Sequence, residues 1–203
     1  MPTKPFPLWP DALLLAALFL LFAALPAVSG LLEYQRERIG AGEWWRLFTA
    51  HFVHLNLNHA LLNALGLLLV GVVFARELRR DEWWLLVLGA PLLISAGLWW
   101  KQPGLAGYAG FSGVLHGLIY LAVLRLWPAS WRLAALLLVV LLARQVWEQT
   151  AAYDRDYLRD LIGGAVMPDA HLFGGLCGLL LGLAGRWRDQ RRGRLGRPEG
   201  AGL

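Results

Sequence analysis

The sequence contains a single cysteine, Cys177, among its 203 residues. One thiol cannot form an intramolecular disulfide, and alone it makes a poor metal site. Charged residues are also scarce, at 16% of the chain against 58% hydrophobic residues. Apolar runs of nearly twenty residues recur along the chain, and a helix needs about 20 residues to cross the lipid core. A water-soluble protein seldom carries so many such runs, so the sequence predicts an all-α membrane protein.

The formal net charge of +5 could indicate nucleic-acid binding. The basic residues cluster beside the apolar runs, however, which is the distribution that the positive-inside tendency requires. We therefore expect no nucleic-acid partner, and we interpret the charge as a record of topology in a lipid bilayer.

Six apolar runs predict six membrane-spanning helices within one domain that covers residues 1–203. About 12–187 would be embedded in the membrane, and 188–203 would form a basic, disordered cytoplasmic tail. The first run could instead be a cleaved signal peptide, although this would leave five spans and disturb the charge pattern. The runs lie at 12–28, 59–76, 83–100, 111–127, 131–147 and 170–187.

The loop charges predict the orientation of the chain. Basic residues follow span two, bracket the turn between spans four and five, and fill the tail from Arg186 onward. With six spans, these clusters and the N-terminus lie on one side, whereas the opposite loops carry little net positive charge. Both termini should therefore be cytoplasmic.

The segment between the first two spans is about thirty residues long and mixes apolar with charged residues. Leu31, Tyr34 and Ile39 alternate with charges, and Trp44 and Trp45 follow. Tryptophan favours the membrane–water boundary. We predict an interfacial segment, the alternative being an ordinary solvated loop.

Four polar residues converge at one depth when this topology is applied. His59 and Asn63 lie in the outer half of span two, Ser112 lies at the outer end of span four, and His171 lies in the first turn of span six. A lone serine in a membrane helix usually bonds to backbone, and a lone histidine is usually a satisfied core residue. Four convergent polar groups are costly in a membrane and indicate a functional site.

These residue types suit nucleophilic catalysis. Serine attacks a carbonyl only when a base takes its proton, and His171 is the natural base for Ser112. Asp169 is two residues from His171 and cannot share its helix face, so we predict a Ser–His dyad. Backbone N–H groups at the start of the Ser112 helix, with His59 and Asn63 four residues apart, would stabilise an oxyanion. The alternative for the His59 and Asn63 pair is a hydrogen bond between helices.

Glycines recur every four residues on the two helices that must meet. Gly113 and Gly117 follow the serine, and Gly174, Gly178 and Gly182 follow the histidine. Stripes of small residues let membrane helices approach closely, which is what a proton transfer between Ser112 and His171 needs.

Together these residues resemble the rhomboid family of intramembrane serine proteases over about residues 43–180. The resemblance implies a six-transmembrane-helix rhomboid-like bundle with Ser112 as nucleophile and His171 as base. It also implies that His59 and Asn63, together with the Ser112 backbone, act as oxyanion donors. The matching motifs are GxSG (Gly110, Ser112, Gly113), AHxxGxxxG (Ala170, His171, Gly174, Gly178), HxxxN (His59, Asn63) and WR (Trp45, Arg46).

One position departs from the family pattern. Many rhomboids carry a tyrosine four residues after the serine that stacks on the catalytic histidine, and this chain has His116 there. His116 could orient His171, share its proton, or be the base itself. The string from Ser112 to Gly117, the small size of the chain and the segment from His51 to Leu55 resemble the rhombosortase branch. That branch is associated with substrates bearing a C-terminal Gly-Gly motif, an apolar helix and a basic tail.

The predicted function is therefore intramembrane serine endopeptidase, with transmembrane proteins as substrates and no metal or other cofactor. The resemblance implies a multi-pass protein of a bacterial inner membrane whose active site faces the outer side. One rival is a catalytically inactive rhomboid-like scaffold that binds helices. Another is a metal site built from His51, His54 and His59, whose spacing fits no familiar zinc motif.

Overall fold

The computed structural model describes residues 7–191 and 193, and helices dominate this part of the chain. Six long helices overlap the six apolar runs, and four short helices and two short strands lie between them. The elements are α1 (Trp9–Ala23), α2 (Pro26–Leu32), β1 (Tyr34–Gln35), α3 (Arg36–Gly40), α4 (Arg46–Thr49), α5 (Leu57–Val73), α6 (Arg80–Lys101), β2 (Gly107–Tyr108), α7 (Ser112–Leu126), α8 (Trp131–Glu148), α9 (Arg159–Ile162) and α10 (Pro168–Arg191).

The first apolar run is not one helix, contrary to its predicted extent of 12–28. It divides into α1 and α2, whose axes differ by 107°. Pro26 opens α2, and a proline disfavours the helical conformation of the residue before it. Leu25 accordingly leaves the helical region, at φ −123° and ψ 74°, and the chain turns there. α1 packs along α5, so that the described fold uses it as a bundle helix.

α7 lies at the centre of the bundle. Its buried residues occur on every side, including Leu118, Leu121, Ala122 and Val123. A helix that is apolar all round is one that neighbours enclose. Its most extensive contacts are with α10, and α5, α6 and α8 pack around it.

The glycine stripes meet at the contact between α7 and α10, as the sequence predicts. A Cβ atom at Gly174 would overlap the carbonyl oxygen of Gly113, and one at Gly178 would overlap that of Gly117. One turn further, a Cβ atom at Gly182 would lie 2.7 Å from the Leu124 side chain. The two backbones are therefore in direct contact, which no larger residue at Gly174 or Gly178 would permit.

The segment from α2 to α4 is organised around Arg46, whose side chain is fully buried. Its Nη1 donates hydrogen bonds to the carbonyls of Gly30 at 3.0 Å and Glu33 at 2.8 Å, and its Nε donates to Glu43 at 2.6 Å. This last bond lowers the pKa of the Glu43 carboxyl. The Trp45 indole donates to the Leu31 carbonyl. The WR pair therefore fastens α4 to the end of α2.

A two-residue antiparallel pairing interrupts the otherwise helical fold, and the all-α prediction did not include it. Tyr34 pairs with Tyr108, and Gln35 pairs with Gly107. The pairing ties the segment after α2 to the chain that leads into α7.

Ion pairs of Arg80 and Arg125 join helices at the end of the bundle opposite to the start of α7. Arg80 in the first turn of α6 bonds to Asp11 of α1 at 2.8 Å. Arg125 in the last turn of α7 pairs with Glu82 of α6 and, at 2.6 Å, with Asp189 of α10. The N-terminal helix and two of the predicted basic clusters therefore meet at one end.

The outer surface of the bundle is apolar. α5 exposes Leu65, Leu69 and Val72, and α8 exposes Leu136 and Val139 in the same way. Soluble monomers rarely expose apolar patches of this extent, whereas a lipid-facing surface requires them.

Length and composition identify fewer spans than the predicted six. Among the described residues, α6 alone is long and apolar enough to cross a membrane, and the bent pair α1 and α2 qualifies if it is counted as one span. α5 and α7 are apolar but have 17 and 15 residues. The six-span count stays a prediction.

The predicted disordered tail begins too early. α10 continues to Arg191, and Arg188 lies 3.8 Å from Glu82. The helix therefore extends four residues past the predicted end of the embedded region. Except for Gly193, the rest of that tail lies outside the described residues.

Candidate active site

Ser112 is the first residue of α7, at the end of the bundle remote from the ion pairs of Arg80 and Arg125. The turn before it depends on Gly110, whose φ of +128° is in the region that favours glycine. A Cβ atom there would also lie 2.6 Å from the His59 ring. The Gly110 N–H donates to the Ala50 carbonyl, and the Tyr108 hydroxyl donates to the Gly110 carbonyl. The GxSG glycine thus fixes the path by which the chain enters α7.

His171 lies in the first turn of α10 and faces Ser112. Its Nε2 is 3.1 Å from the Ser112 Oγ. The contact between Gly113 and Gly174 lies directly beside this pair, and it brings the two backbones close enough for a serine and a histidine to meet. The predicted convergence of these two side chains is therefore present in the structure.

Glu148 is a site residue that the sequence analysis missed. Its Oε2 is 2.9 Å from the Nδ1 of His171, and its carboxylate is 1% exposed. The predicted Ser–His dyad named no acid from the neighbouring sequence, and the structure places Glu148, from another helix, beside His171. Asp169, which the sequence analysis set aside, points elsewhere and pairs with Lys101 of α6.

The position of Glu148 explains why it was missed and how it could have been found. It is the last residue of α8, one residue beyond the predicted fifth span, where an acid is ordinarily solvated. The fifth span ends on the same side as the sixth begins, so Glu148 is at the depth of His171. The signal that could have identified Glu148 is therefore an acidic residue at the predicted depth of His171.

The Glu148 carboxylate selects one tautomer of the neutral His171 imidazole. A carboxylate can only accept hydrogen bonds, so Nδ1 of His171 carries the proton that Glu148 accepts. Nε2 is then left with a lone pair facing the Ser112 hydroxyl. This tautomer can accept a proton from serine and later release it, which is the chemistry of a serine nucleophile with a histidine base.

His116 stacks on His171. The two ring centroids are 3.9 Å apart, and the planes differ by 12°. The His116 Nδ1 lies 2.8 Å from the Ser112 carbonyl oxygen, one turn earlier in α7. His116 therefore bonds to the backbone of Ser112 and contacts His171 by its face, an arrangement that suits orientation of the ring.

His59 and Asn63 lie in the first two turns of α5, and both are buried. They share one face of the helix, as their spacing predicts. The Asn63 amide donates to the His59 carbonyl at 3.0 Å, and the His59 Nδ1 has no partner among the described residues. Asn56 caps α5 by accepting from the His59 N–H at 2.8 Å, which anchors this turn.

A cavity of about 430 Å³ opens onto these side chains. Ser112, His171, His59, Asn63, His116 and Glu148 all contribute to its wall. Most of the remaining wall is apolar and comes from the segments before α5, before α7 and around α9. The cavity therefore combines a small polar floor with apolar walls, as ligand-binding clefts commonly do.

Within the part of the chain that the structure describes, one group of side chains has ligand atoms close enough to hold a metal, but its geometry does not suit one. His116, Glu148 and His171 place their ligand atoms within 4.8 Å of one another. Stacked parallel rings, however, do not direct their lone pairs at a common ion, and both His171 nitrogens already face protein partners.

His51, His54 and His59, the residues of the rival metal site, contact different partners. His51 faces the Ser95 hydroxyl at 3.0 Å, whereas His54 packs edge-on against His59 and against Phe19. They do not converge on one point.

Comparisons with known proteins agree with the motifs. Residues 41–188 match the family model described as "Rhomboid domain". The chain is 29% identical over 118 residues to the YdcA protein of Bacillus subtilis (strain 168), whose name assigns it provisionally to the rhomboid proteases; the match covers 56% of this chain and 59% of YdcA. It is 30% identical over 91 residues to the rhomboid protease GluP of the same organism, covering 44% of this chain and 18% of GluP. The chain thus spans about three fifths of YdcA and less than a fifth of GluP.

Proposed function

The chain belongs to the rhomboid family of membrane proteins, and on this premise we propose that it is an intramembrane serine endopeptidase. The observation that carries the proposal is the 3.1 Å separation between the Ser112 Oγ and the His171 Nε2. Two side chains from separate helices, at the floor of one cavity, have the geometry that nucleophilic catalysis needs.

In the proposed reaction, the Ser112 oxygen attacks the carbonyl carbon of a peptide bond while its proton passes to Nε2 of His171. The tetrahedral intermediate collapses, the C–N bond breaks, and His171 gives the proton to the leaving amine. The acyl-enzyme is then hydrolysed by a water molecule whose proton His171 takes and returns to Ser112.

The negative oxygen of the intermediate would be stabilised at the start of α7. The first N–H groups of a helix have no intrahelical partner, and the helix dipole is positive there. His59 and Asn63 line the same cavity and are the proposed side-chain donors. The Asn63 amide has a second hydrogen besides the one that it donates to the His59 carbonyl.

His116 and the glycines have supporting roles in this proposal. The stacked His116 ring holds the plane of His171, and Gly110 shapes the turn before Ser112. The approach of α7 and α10 depends on Gly113, Gly174 and Gly178. Trp45 and Arg46 fasten α4 to the end of α2.

The proposed substrates are proteins anchored by a transmembrane helix, cut near the outer face of a bacterial inner membrane. A helical peptide bond is shielded by its own hydrogen bonds, so the substrate must unwind locally. Glycine costs about 1 kcal/mol of helix stability relative to alanine. A Gly-Gly pair near the cleavage site would make this unwinding easier. The finer proposal, which rests on the resemblance of the string from Ser112 to Gly117, is a rhombosortase that acts on a C-terminal Gly-Gly pair followed by an apolar helix and a basic tail.

An inactive helix-binding scaffold is the alternative function. A scaffold has no need of a serine hydroxyl facing an imidazole lone pair, and it has no need of a buried carboxylate behind that imidazole. The geometry therefore favours the protease.

The test is cleavage of a fusion protein that carries the Gly-Gly pair, the apolar helix and the basic tail, co-expressed with this chain. Wild type should release the outer domain, and Ser112→Ala should not. A fluorophosphonate should label wild type and leave the variant unlabelled. Unimpaired cleavage by Ser112→Ala would refute the mechanism.

A further inference from the structure

The Glu148 carboxylate lies behind His171 and is buried. The proposed chemistry requires a base and a nucleophile, but it does not by itself require Glu148. A buried carboxylate is costly unless its interactions compensate for the lost hydration. Its place in the fold, at the very end of α8 and 1% exposed, therefore asks for an explanation.

Both oxygens of Glu148 have a defined neighbour. Oε2 accepts from Nδ1 of His171 at 2.9 Å. Oε1 lies 3.0 Å from Nε of Arg144, one turn earlier on α8; this is ion-pair distance without the alignment of a hydrogen bond. Arg144 is in turn held by Tyr153, whose hydroxyl is 3.3 Å from Nη2 and whose ring lies under the guanidinium. The carboxylate is thus held in place from the side opposite to His171.

We propose that Glu148, held by Arg144, is a positioning residue that makes His171 a competent base, so that the site works as a Ser112–His171–Glu148 triad. The inference rests on the proposed protease function. Glu148 bonds to Nδ1 of His171, whereas Ser112 faces Nε2 of the same ring, so Glu148 acts through the imidazole.

The physical reason has two parts. A carboxylate on Nδ1 selects the tautomer whose Nε2 lone pair faces the serine, and it stabilises the imidazolium that forms when His171 takes the proton. Stacking on His116 fixes the plane of the ring but does not distinguish the two tautomers. The carboxylate supplies the distinction that stacking lacks.

The groups around His171 make this effect assignable to Glu148. His116 faces it from α7, and His59 lies across the cavity on α5. Arg144 is the only cation of α8 in the cavity wall, and it reaches Glu148 directly. Asp169, on the same helix as His171, is paired with Lys101 of α6. Among the described residues, the negative charge in contact with the imidazole is therefore that of Glu148.

The experiment compares wild type, Glu148→Gln, Glu148→Asp and the control Glu37→Gln, with Ser112→Ala as the inactive reference. Glu37 is exposed on α3, so its variant makes the same chemical change away from the site. Each protein is purified in detergent, its thermal unfolding is recorded, and kcat and KM for the Gly-Gly fusion substrate are measured across pH.

We expect Glu148→Gln to lower kcat by about 10²- to 10⁴-fold with little change in KM, which is the range for loss of general acid–base function. Because the imidazolium loses its carboxylate, the acidic limb of the pH–rate profile should also move to lower pH in any residual activity. Glu148→Asp keeps the charge, so it should recover part of kcat and keep the wild-type limb. Fluorophosphonate labelling should slow in parallel.

Three outcomes would decide the matter differently. Wild-type kcat and pH profile in Glu148→Gln, with Ser112→Ala inactive, would overturn the triad and leave the protease proposal intact. A fall in kcat without displacement of the acidic limb, unrelieved in Glu148→Asp, would also overturn it, because that is the signature of a structural role. Cleavage by Ser112→Ala would overturn the proposed function itself. If Glu148→Gln does not fold, the Glu148→Asp profile and its labelling rate decide.

Discussion

At the scale of single residues, His116 makes two contacts in the site, one with the backbone of Ser112 and one with the ring of His171. Its Nδ1 is held by the backbone oxygen of Ser112, and its ring face covers His171 at 3.9 Å. The bond to the backbone fixes the His116 ring, and that ring packs against the face of His171. An aromatic ring that cannot be protonated could make the same stacking contact with His171.

Replacement of His116 separates an orienting role from the role of base. We expect His116→Phe to keep cleavage within a few-fold of wild type, because the phenyl ring preserves the stack. His116→Ala should lose about 3- to 10-fold, since such ring pairs contribute about 0.5–1.5 kcal/mol beyond their area burial. Initial rates on the Gly-Gly fusion substrate measure both. Activity of His116→Phe as low as that of Ser112→Ala would make His116 the base.

The residues of the site differ in how far the sequence could predict them. Ser112 and His171 were predictable because counting spans places both at the outer ends of apolar runs, and polar groups there have few other uses. Glu148 was harder to predict, because it follows an apolar run and an acid in that position is usually solvated, so that its depth was the only signal. Its burial depends on how the connection after α8 folds over the site, which the local sequence does not specify.

At the scale of elements, the contact between α7 and α10 is the joint that assembles the site. Each of these helices contributes one member of the Ser112 and His171 pair, and the carbonyls of Gly113 and Gly117 touch the glycines of α10. Gly178 lies two turns after His171 and is part of the contact between α7 and α10, but it is not one of the reacting groups. Its substitution therefore tests only the close approach of the two helices.

Substitution of Gly178 tests the joint. A Cβ atom there would overlap the Gly117 carbonyl, so Gly178→Ala should push the helices apart. Overpacking of this kind costs about 1–3 kcal/mol. We expect a lower unfolding temperature in detergent and a fall in cleavage of 10-fold or more, because the distance between Ser112 and His171 increases.

The matched control for this prediction is Gly89→Ala. Gly89 also lies inside a long helix, α6, but a Cβ atom there would meet nothing within 4 Å. Alanine has the higher helix propensity, so this variant should be as stable as wild type or slightly more stable. Equal effects of the two substitutions would show that close approach at Gly178 is not required.

Element positions were easier to predict than element ends. Each of the six apolar runs overlaps a long helix, since length and hydropathy decide where helices form in an apolar chain. The break at Leu25 and Pro26 was missed because the apolar run continues through it to Val28. The β1 and β2 pairing was also missed, because two residues of strand carry no periodic signal.

At the scale of the whole molecule, the bundle has two chemically different ends. One end carries the ion pairs of Arg80 with Asp11 and of Arg125 with Glu82 and Asp189. The other carries the polar floor of the cavity. This polarity follows from the alternation of basic and weakly charged loops, so the sequence alone could predict it, whereas the partners within each ion pair required the fold.

The orientation of these two ends in the membrane is open to a direct chemical measurement. Cys177 is the only cysteine of the chain, and its replacement by alanine gives a background in which one new thiol can be placed at either end. Ala41 follows α3 at the end that holds Ser112, and Ala129 lies in the turn between α7 and α8 at the opposite end; both are exposed.

Because basic loops are retained in the cytoplasm, the end with the ion pairs of Arg80 and Arg125 should be cytoplasmic. A membrane-impermeant maleimide should therefore label Ala41→Cys in intact spheroplasts and label Ala129→Cys only after permeabilisation. Denatured samples, in which both thiols react, control for equal expression. The reverse pattern would place Ser112 on the cytoplasmic side and exclude cleavage near the outer face. Since β1 and β2 join the segment before Ala41 to the residues that lead into Ser112, the label at Ala41 reports the side of the site itself.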